Sequence, residues 1–108
     1  MSTTDWTALN HQKERGRLWA ALVPLDPEGR AELLNTYLEQ QVVHLLKADG
    51  RPTDRLKRSF LAIGFDSLMS VDLLYHLQRD LDRDLDPEAM EQDSIDSLAA
   101  AVLRELGG

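Results

Sequence analysis

Cysteine is absent from the 108-residue chain, which excludes disulfide bridges and thiolate metal sites. The three histidines, at positions 11, 44 and 76, have no partners at ligand spacing, so we expect neither a metal site nor histidine-based catalysis. No apolar run approaches the ~20 residues of a membrane-spanning helix. The first ten residues, MSTTDWTALN, lack the apolar core of a signal peptide. These absences predict a cytoplasmic protein.

Basic residues are scarce in the second half of the chain. Residues 1–60 contain nine Lys or Arg and eight Asp or Glu, whereas residues 61–108 contain three and eleven. An acidic surface of this kind repels nucleic acids and anionic membranes and favours basic protein partners. A surface that serves only solubility is the alternative explanation. We therefore expect no nucleic acid or membrane among the partners.

Period-two alternation is also missing, and the apolar residues recur at helical spacing. Turn-forming segments divide the chain at 24–29, 48–54, 62–66 and 84–88. The helices between them are predicted from Asp26 to about Gly50, from Asp66 or Ser67 to about Arg83, from Pro87 to Gln92, and from Asp93 or Ser94 onwards. The fold predicted is all-α, a bundle of three main helices and one short helix. A long loop precedes the second main helix.

The domain boundary is predicted near residue 25. Residues 26–108 contain the bundle, while the apolar residues of 1–25 fit a single helical face only in part. That first segment is expected to be a linker or an extra helix. The expected anchors of the long loop are Leu56, Phe60 and Leu61.

The second main helix has two apolar stripes, where a surface helix of a bundle needs one. At about 100° per residue, one stripe is a core stripe formed by Ser70, Leu73, Leu74, Leu77 and Leu81. The other stripe contains Leu68, Val71 and Tyr75. It predicts an exposed recognition face; packing on the N-terminal segment, or scattered surface apolarity, is the alternative.

Ser67 lies at the start of this helix, where free N–H groups and the positive end of the dipole favour a phosphate. Its position alone is equally typical of an ordinary N-terminal serine. The stretch GFDSLMSVDLLYHLQRDL at 64–81, however, resembles the modification-site helix of an acyl carrier protein of the polyketide synthase type. Asp66, Ser67 and Leu68 fall on that family's Asp-Ser-Leu triplet, and Gly64 and Phe65 on the Gly-Phe before it. The segments SFLAIGFDSL and SIDSLAAAVL are similar to the preceding loop and the closing helix.

The resemblance implies an acyl-carrier-like bundle with 4′-phosphopantetheine, taken from coenzyme A, attached to Ser67 and flanked by Asp66 and Leu68. The arm would carry acyl groups as thioesters, and the chain would be a carrier with no catalytic residues of its own. The partners implied are a phosphopantetheinyl transferase, an acyltransferase, a ketosynthase and other synthase domains. The surface expected to contact these partners consists of Met69, Val71, Asp72, Tyr75 and Arg79.

Two other functions remain open at this point. The chain could be a stand-alone fatty-acid-type carrier or a peptidyl carrier, where Gly-Gly is commoner before the triplet. It could also be an unmodified helical docking module that binds a partner helix through Leu68, Val71 and Tyr75.

A second Asp-Ser-Leu triplet occurs at residues 96–98. It lacks both the long loop and the preceding Gly-Phe, and it falls inside the predicted closing helix. We therefore expect Ser97 not to be modified.

Overall fold

The computed structural model describes residues 15–107. In that range the chain forms helices only, and no strand. The helices are α1 (Arg17–Leu22), α2 (Pro27–Ala48), α3 (Phe60–Ile63), α4 (Ser67–Leu81), a 3₁₀ helix (Pro87–Met90) and α5 (Ile95–Glu105). The predicted all-α bundle is confirmed, with α2, α4 and α5 as its three main helices.

The boundaries of the main helices follow from side chains that cap free backbone N–H groups. Asp26 accepts a hydrogen bond from the Gly29 N–H at 2.7 Å, and Pro27 occupies the first position of α2. Ser94 caps α5 and is part of a capping box. The helix starts at Asp26 and Ser94 are thus confirmed.

The core is an apolar seam shared by the three main helices. The predicted core stripe of α4 is confirmed for Leu73, Leu77 and Leu81, which are fully buried, whereas Ser70 and Leu74 are only partly buried. The fully buried members of this seam are Leu34, Leu38, Val42, Leu46, Leu73, Leu77, Leu81, Leu98 and Val102.

Helix α1 packs on α4 and α2. Its Leu18 and Leu22 side chains are buried in the core, and the Gly16 N–H donates to the Arg79 carbonyl at 2.9 Å. Residues 17–22 are therefore a docked helix. Residues 1–14 lie outside the described range, so a domain boundary near residue 25 stays a prediction.

The loop between α2 and α4 is anchored by aromatic packing. Phe60 is buried, and its ring centroid lies 4.7 Å from that of Phe65. Leu56 packs partly against the core. The prediction that Leu61 is an anchor was wrong, because its side chain is 92% exposed. In the single turn of α3 the buried residues are Phe60 and Ile63, and Leu61 is rotated about 100° from Phe60 towards solvent.

The C-terminal end of α4 is held against α2 by a buried carboxylate. Asp80 accepts hydrogen bonds from the Tyr37 hydroxyl and, at 3.0 Å, from Arg79 Nε. Burial, together with the bond to Asp80, raises the pKa of Tyr37 well above its usual value, so the phenol stays protonated and keeps donating. This end of α4 is therefore fixed in the bundle.

Candidate functional site

The opposite end of α4 is exposed, and the turn before it brings Ser67 to the surface. Gly64 adopts a left-handed conformation with φ of 81°, which favours glycine, and the next side chain, Phe65, is buried. The Phe65 N–H donates to the Phe60 carbonyl at 2.9 Å and closes the turn. Directly after the buried Phe65 the chain returns to the surface, and the next three residues, Asp66, Ser67 and Leu68, are exposed.

Ser67 is the first residue of α4. Asp66 is the N-cap, and its Oδ1 accepts from the Met69 N–H at 3.0 Å. The N–H groups of Ser67 and Leu68 have no intrahelical acceptor, because they belong to the first turn. Within residues 15–107 no hydrogen bond engages the Ser67 hydroxyl. The site therefore offers an accessible hydroxyl beside free donors and the positive end of a helix, a donor set that suits a phosphodiester.

An exposed apolar face follows Ser67 along α4. Leu68, Val71 and Tyr75 are 76%, 64% and 66% exposed, large values for side chains of this type. We call these three residues the α4 stripe. Asp72 is also exposed, next to Val71. The structure thus brings four of the residues singled out in the sequence onto one open surface.

Two of the expected surface residues lie elsewhere. Met69 was predicted to face partners, but it is 7% exposed and belongs to the core. It precedes the buried Leu73 by four residues, which places both side chains on the same helix face. Arg79 lies one turn beyond Tyr75, at the fixed end of α4, where its guanidinium binds Asp80. Met69 is therefore removed from the surface, and Arg79 lies at its edge.

Sequence reasoning missed one exposed apolar residue near the site. Leu61 precedes Ser67 by six residues and extends into solvent from α3. The signal was available, because Ser59 caps a short helix whose Phe60 and Ile63 are spaced to share one face.

Ser97, the serine of the second triplet, is in a different setting. Its hydroxyl accepts from the Ser94 N–H at 3.2 Å and donates to the Ser94 carbonyl at 3.1 Å. The first of these bonds, together with the Ser97 N–H donating to Ser94 Oγ at 3.2 Å, forms the capping box of α5. The Ser97 hydroxyl is therefore occupied in holding a helix start.

The family model for the phosphopantetheine attachment site matches residues 37–102, more than half of the chain. The chain belongs to this family. The match spans α4 and both Asp-Ser-Leu triplets. No curated protein and no solved structure matches the chain.

Membership establishes the cofactor and the general role. The protein is a carrier whose covalently bound group is 4′-phosphopantetheine. Carriers of this family interact with a modifying transferase and with synthase enzymes. In the described part of the chain no helix is long and apolar enough to cross a membrane. Nor do residues 15–107 contain a cluster of His, Cys, Asp and Glu that could hold a metal ion.

Proposed function

We propose that the protein is an acyl carrier of the polyketide synthase type that holds 4′-phosphopantetheine on Ser67. The observation that carries this proposal is the exposed, unbonded Ser67 hydroxyl at the free end of α4, directly followed by the α4 stripe. The bound arm supplies a thiol, on which acyl intermediates are held as thioesters. The chain itself contributes the attachment point and the surface that partner enzymes contact.

The choice of Ser67 is supported by what the other serines of residues 15–107 do. Ser59, Ser94 and Ser97 use their hydroxyls to cap helices, and Ser70 is half-buried on α4. A transferase needs a hydroxyl that can approach the β-phosphorus of coenzyme A. Ser67 meets this requirement without disturbing any bond of the described chain.

Attachment needs a base on the transferase rather than on the carrier. The Ser67 oxygen forms a bond to the β-phosphorus of coenzyme A while the bond between that phosphorus and the bridging anhydride oxygen breaks. Adenosine 3′,5′-bisphosphate leaves with the bridging oxygen, and the hydroxyl proton passes to the transferase. The nearby Asp66 carboxylate is already engaged as the N-cap, which agrees with a carrier that has no catalytic role.

The polyketide type is supported by Gly64 and Phe65. Gly64 takes a left-handed conformation, and Phe65 stacks on Phe60 in the core, so both residues of the Gly-Phe pair have a structural role before the triplet. The exposed α4 stripe and Asp72 are the proposed contact surface for a phosphopantetheinyl transferase, an acyltransferase and a ketosynthase.

The test is the intact mass after incubation with coenzyme A, Mg²⁺ and a broad-specificity phosphopantetheinyl transferase. The parent protein and Ser97→Ala should each gain one phosphopantetheine group, and Ser67→Ala should gain none. A gain in Ser67→Ala would overturn the site, and no gain in the parent would favour an unmodified docking module. Defined acyl- and aminoacyl-transferring enzymes, offered to the loaded protein, then separate a polyketide carrier from a fatty-acid-type or peptidyl carrier.

A further inference from the structure

Arg51 lies across the face of Gly64, although 12 residues of loop and helix separate the two in the chain. A Cβ atom placed on Gly64 would be 2.5 Å from Arg51 Nη1 and 3.1 Å from its Cδ. The glycine therefore provides the space in which the guanidinium rests. A side chain at residue 64 would push Arg51 away from the turn that leads to Ser67.

Two contacts hold Arg51 in this position. Its backbone N–H donates to the Leu46 carbonyl at 2.8 Å, which ties the residue to the end of α2. Its Nε donates to Asp49 Oδ2 at 2.6 Å. These bonds use one of the five N–H donors of the guanidinium. Within residues 15–107 the Nη groups of Arg51 make no hydrogen bond, and the side chain is half-exposed.

The free Nη groups lie against Gly64, three residues before the proposed attachment point. Gly64 precedes Ser67 by three residues, which span at most about 10 Å even when fully extended. The left-handed turn at Gly64 shortens that distance further. From its position on Gly64, the long side chain of Arg51 can therefore extend to a phosphate bonded to Ser67.

A phosphodiester on Ser67 would add negative charge to a helix end that already has two carboxylates, so a nearby cation would stabilise it in addition to the helix N–H groups. Asp66 and Asp72 are exposed carboxylates on either side of the serine, so a phosphate brings a third negative charge to the same end of α4. The three atoms nearest to a Cβ placed on Gly64 all belong to Arg51, which is therefore the loop cation chosen for this role, whereas Lys57 points to α2, where it pairs with Glu39 at 3.3 Å. The guanidinium plane of Arg51 also matches the geometry of phosphate oxygens.

We infer that Arg51 binds the phosphate of the 4′-phosphopantetheine group carried by Ser67 and acts as a positioning residue for the root of the arm. The inference rests on the proposed function, since it needs the group on Ser67. It adds a residue from the far end of the loop to the site. The loop then brings a cation to the attachment point at Ser67 and also connects α2 with α4.

The test compares apo and loaded forms of the parent, Arg51→Gln, Arg51→Lys and Arg55→Gln. Arg55 is the matched control, because it also pairs with a nearby aspartate, Asp54, at 4.0 Å but does not lie on Gly64. The quantity of interest is the melting temperature of the loaded form minus that of the apo form. Loss of the Asp49 contact affects both forms of Arg51→Gln, so it cancels in this difference.

We expect the difference to be lower in Arg51→Gln than in the parent by about 2–4 °C, and unchanged in Arg55→Gln. Arg51→Lys should fall between them, because a lysine keeps the charge without the planar fork. The gap between parent and Arg51→Gln should shrink at high salt. In the parent, the ¹⁵N and ¹H shifts of Arg51 Nε should change on loading, while those of Arg55 Nε should not.

Equal differences for parent and Arg51→Gln, or an Arg51 Nε signal that does not move on loading, would overturn the inference while leaving the proposed function intact. An equal loss in Arg55→Gln would also overturn it, because the effect would then be one of general charge. If Arg51→Gln does not fold, the Nε signal of the parent decides. Failure of the parent to gain mass would instead overturn the proposed function itself.

Discussion

The triplet Asp-Ser-Leu occurs at the start of α4 and again at the start of α5, and its three side chains are used differently in the two places. At residues 66–68 the aspartate caps the helix, and the serine and leucine are exposed. At residues 96–98 the serine completes a capping box, and the leucine is 1% exposed in the core. The same three residue types thus form an open attachment point in one helix and a closed helix start in the other.

The difference arises from a shift of two positions relative to the N-cap, because the triplet's aspartate is the N-cap itself in α4 and the second helical residue in α5. In α4 the cap is the triplet's aspartate, so Ser67 is the first helical residue, and within residues 15–107 its hydroxyl makes no hydrogen bond. In α5 the cap is Ser94, two residues before the triplet, so Ser97 is the third helical residue and reaches back to the cap. Position relative to the N-cap therefore decides whether a serine is available for chemistry.

The leucines should differ most. Leu98→Ala removes a fully buried side chain and should lower the free energy of unfolding by about 2–5 kcal/mol. Leu68→Ala should change it by no more than about 0.5 kcal/mol and should slow loading by the transferase. Urea denaturation of both variants, with loading rates per folded molecule, measures the contrast. Similar losses of stability would mean that Leu68 is a core residue.

The aspartates should differ less. Asp66→Ala removes the N-cap of α4 and should cost about 1 kcal/mol. Asp96→Ala leaves the cap of α5 in place and removes an exposed bond from Asn35 Nδ2, so it should cost about 0.5 kcal/mol. Thermal unfolding of each variant, with Asn35→Ala as the partner control for Asp96, provides the comparison. A larger loss in Asp96→Ala than in Asp66→Ala would contradict this assignment of caps.

The two serines should have opposite effects: Ser97 should matter for stability and not for loading, and Ser67 for loading and not for stability. Ser97→Ala removes half of a capping box and should cost about 0.5–1 kcal/mol while loading normally. Ser67→Ala should unfold like the parent and accept no phosphopantetheine group. Melting curves and intact masses of the two variants are sufficient. Should Ser97→Ala keep full stability, its hydroxyl bonds contribute nothing to the helix start.

The smallest overall effects are expected at two exposed positions of α4, Val71 and Asp72. Val71→Ala should stay within about 0.5 kcal/mol of the parent, because its side chain is 64% exposed. It should nevertheless slow acyl transfer, because partner enzymes can contact exposed apolar side chains beside the attachment point at Ser67. Asp72→Lys should slow transfer too, and less so at high salt, if the partner surface is basic. Unfolding of Val71→Ala with unchanged transfer per folded molecule would assign Val71 to the core.

Much of the fold could be predicted because its signals are local. A cap such as Asp26 followed by Pro27 needs only neighbouring residues to start a helix, and the three-and-four spacing of Leu34, Leu38 and Val42 identifies the buried face without knowledge of the other helices. The three main helices are confirmed for this reason. The exposure of the α4 stripe was inferred in the same way, from its angle to the core stripe.

Two predictions were wrong, Met69 on the surface and Leu61 as a buried anchor, because the local spacing of apolar residues does not determine which side of a helix faces the core. Met69 and Leu61 are each adjacent to residues of opposite burial, so about 100° of rotation decides whether such a side chain meets the core. The two apolar stripes of α4 did not show how much of the circumference of that helix is buried in the core. In the folded molecule Met69 is a member of the core cluster, and the single turn of α3 buries Phe60 and Ile63 and leaves Leu61 exposed.

From the amino-acid sequence alone it follows that the domain is all-helical, where its main helices start, and which serine follows a long loop and a Gly-Phe pair. Those properties depend on contacts between residues a few positions apart. The docking of α1 through Leu18 and Leu22, the burial of Met69 and the contact of Arg51 with Gly64 became visible in the folded molecule. These are contacts between distant segments, and they exist only once the helices have packed at a particular rotation and distance.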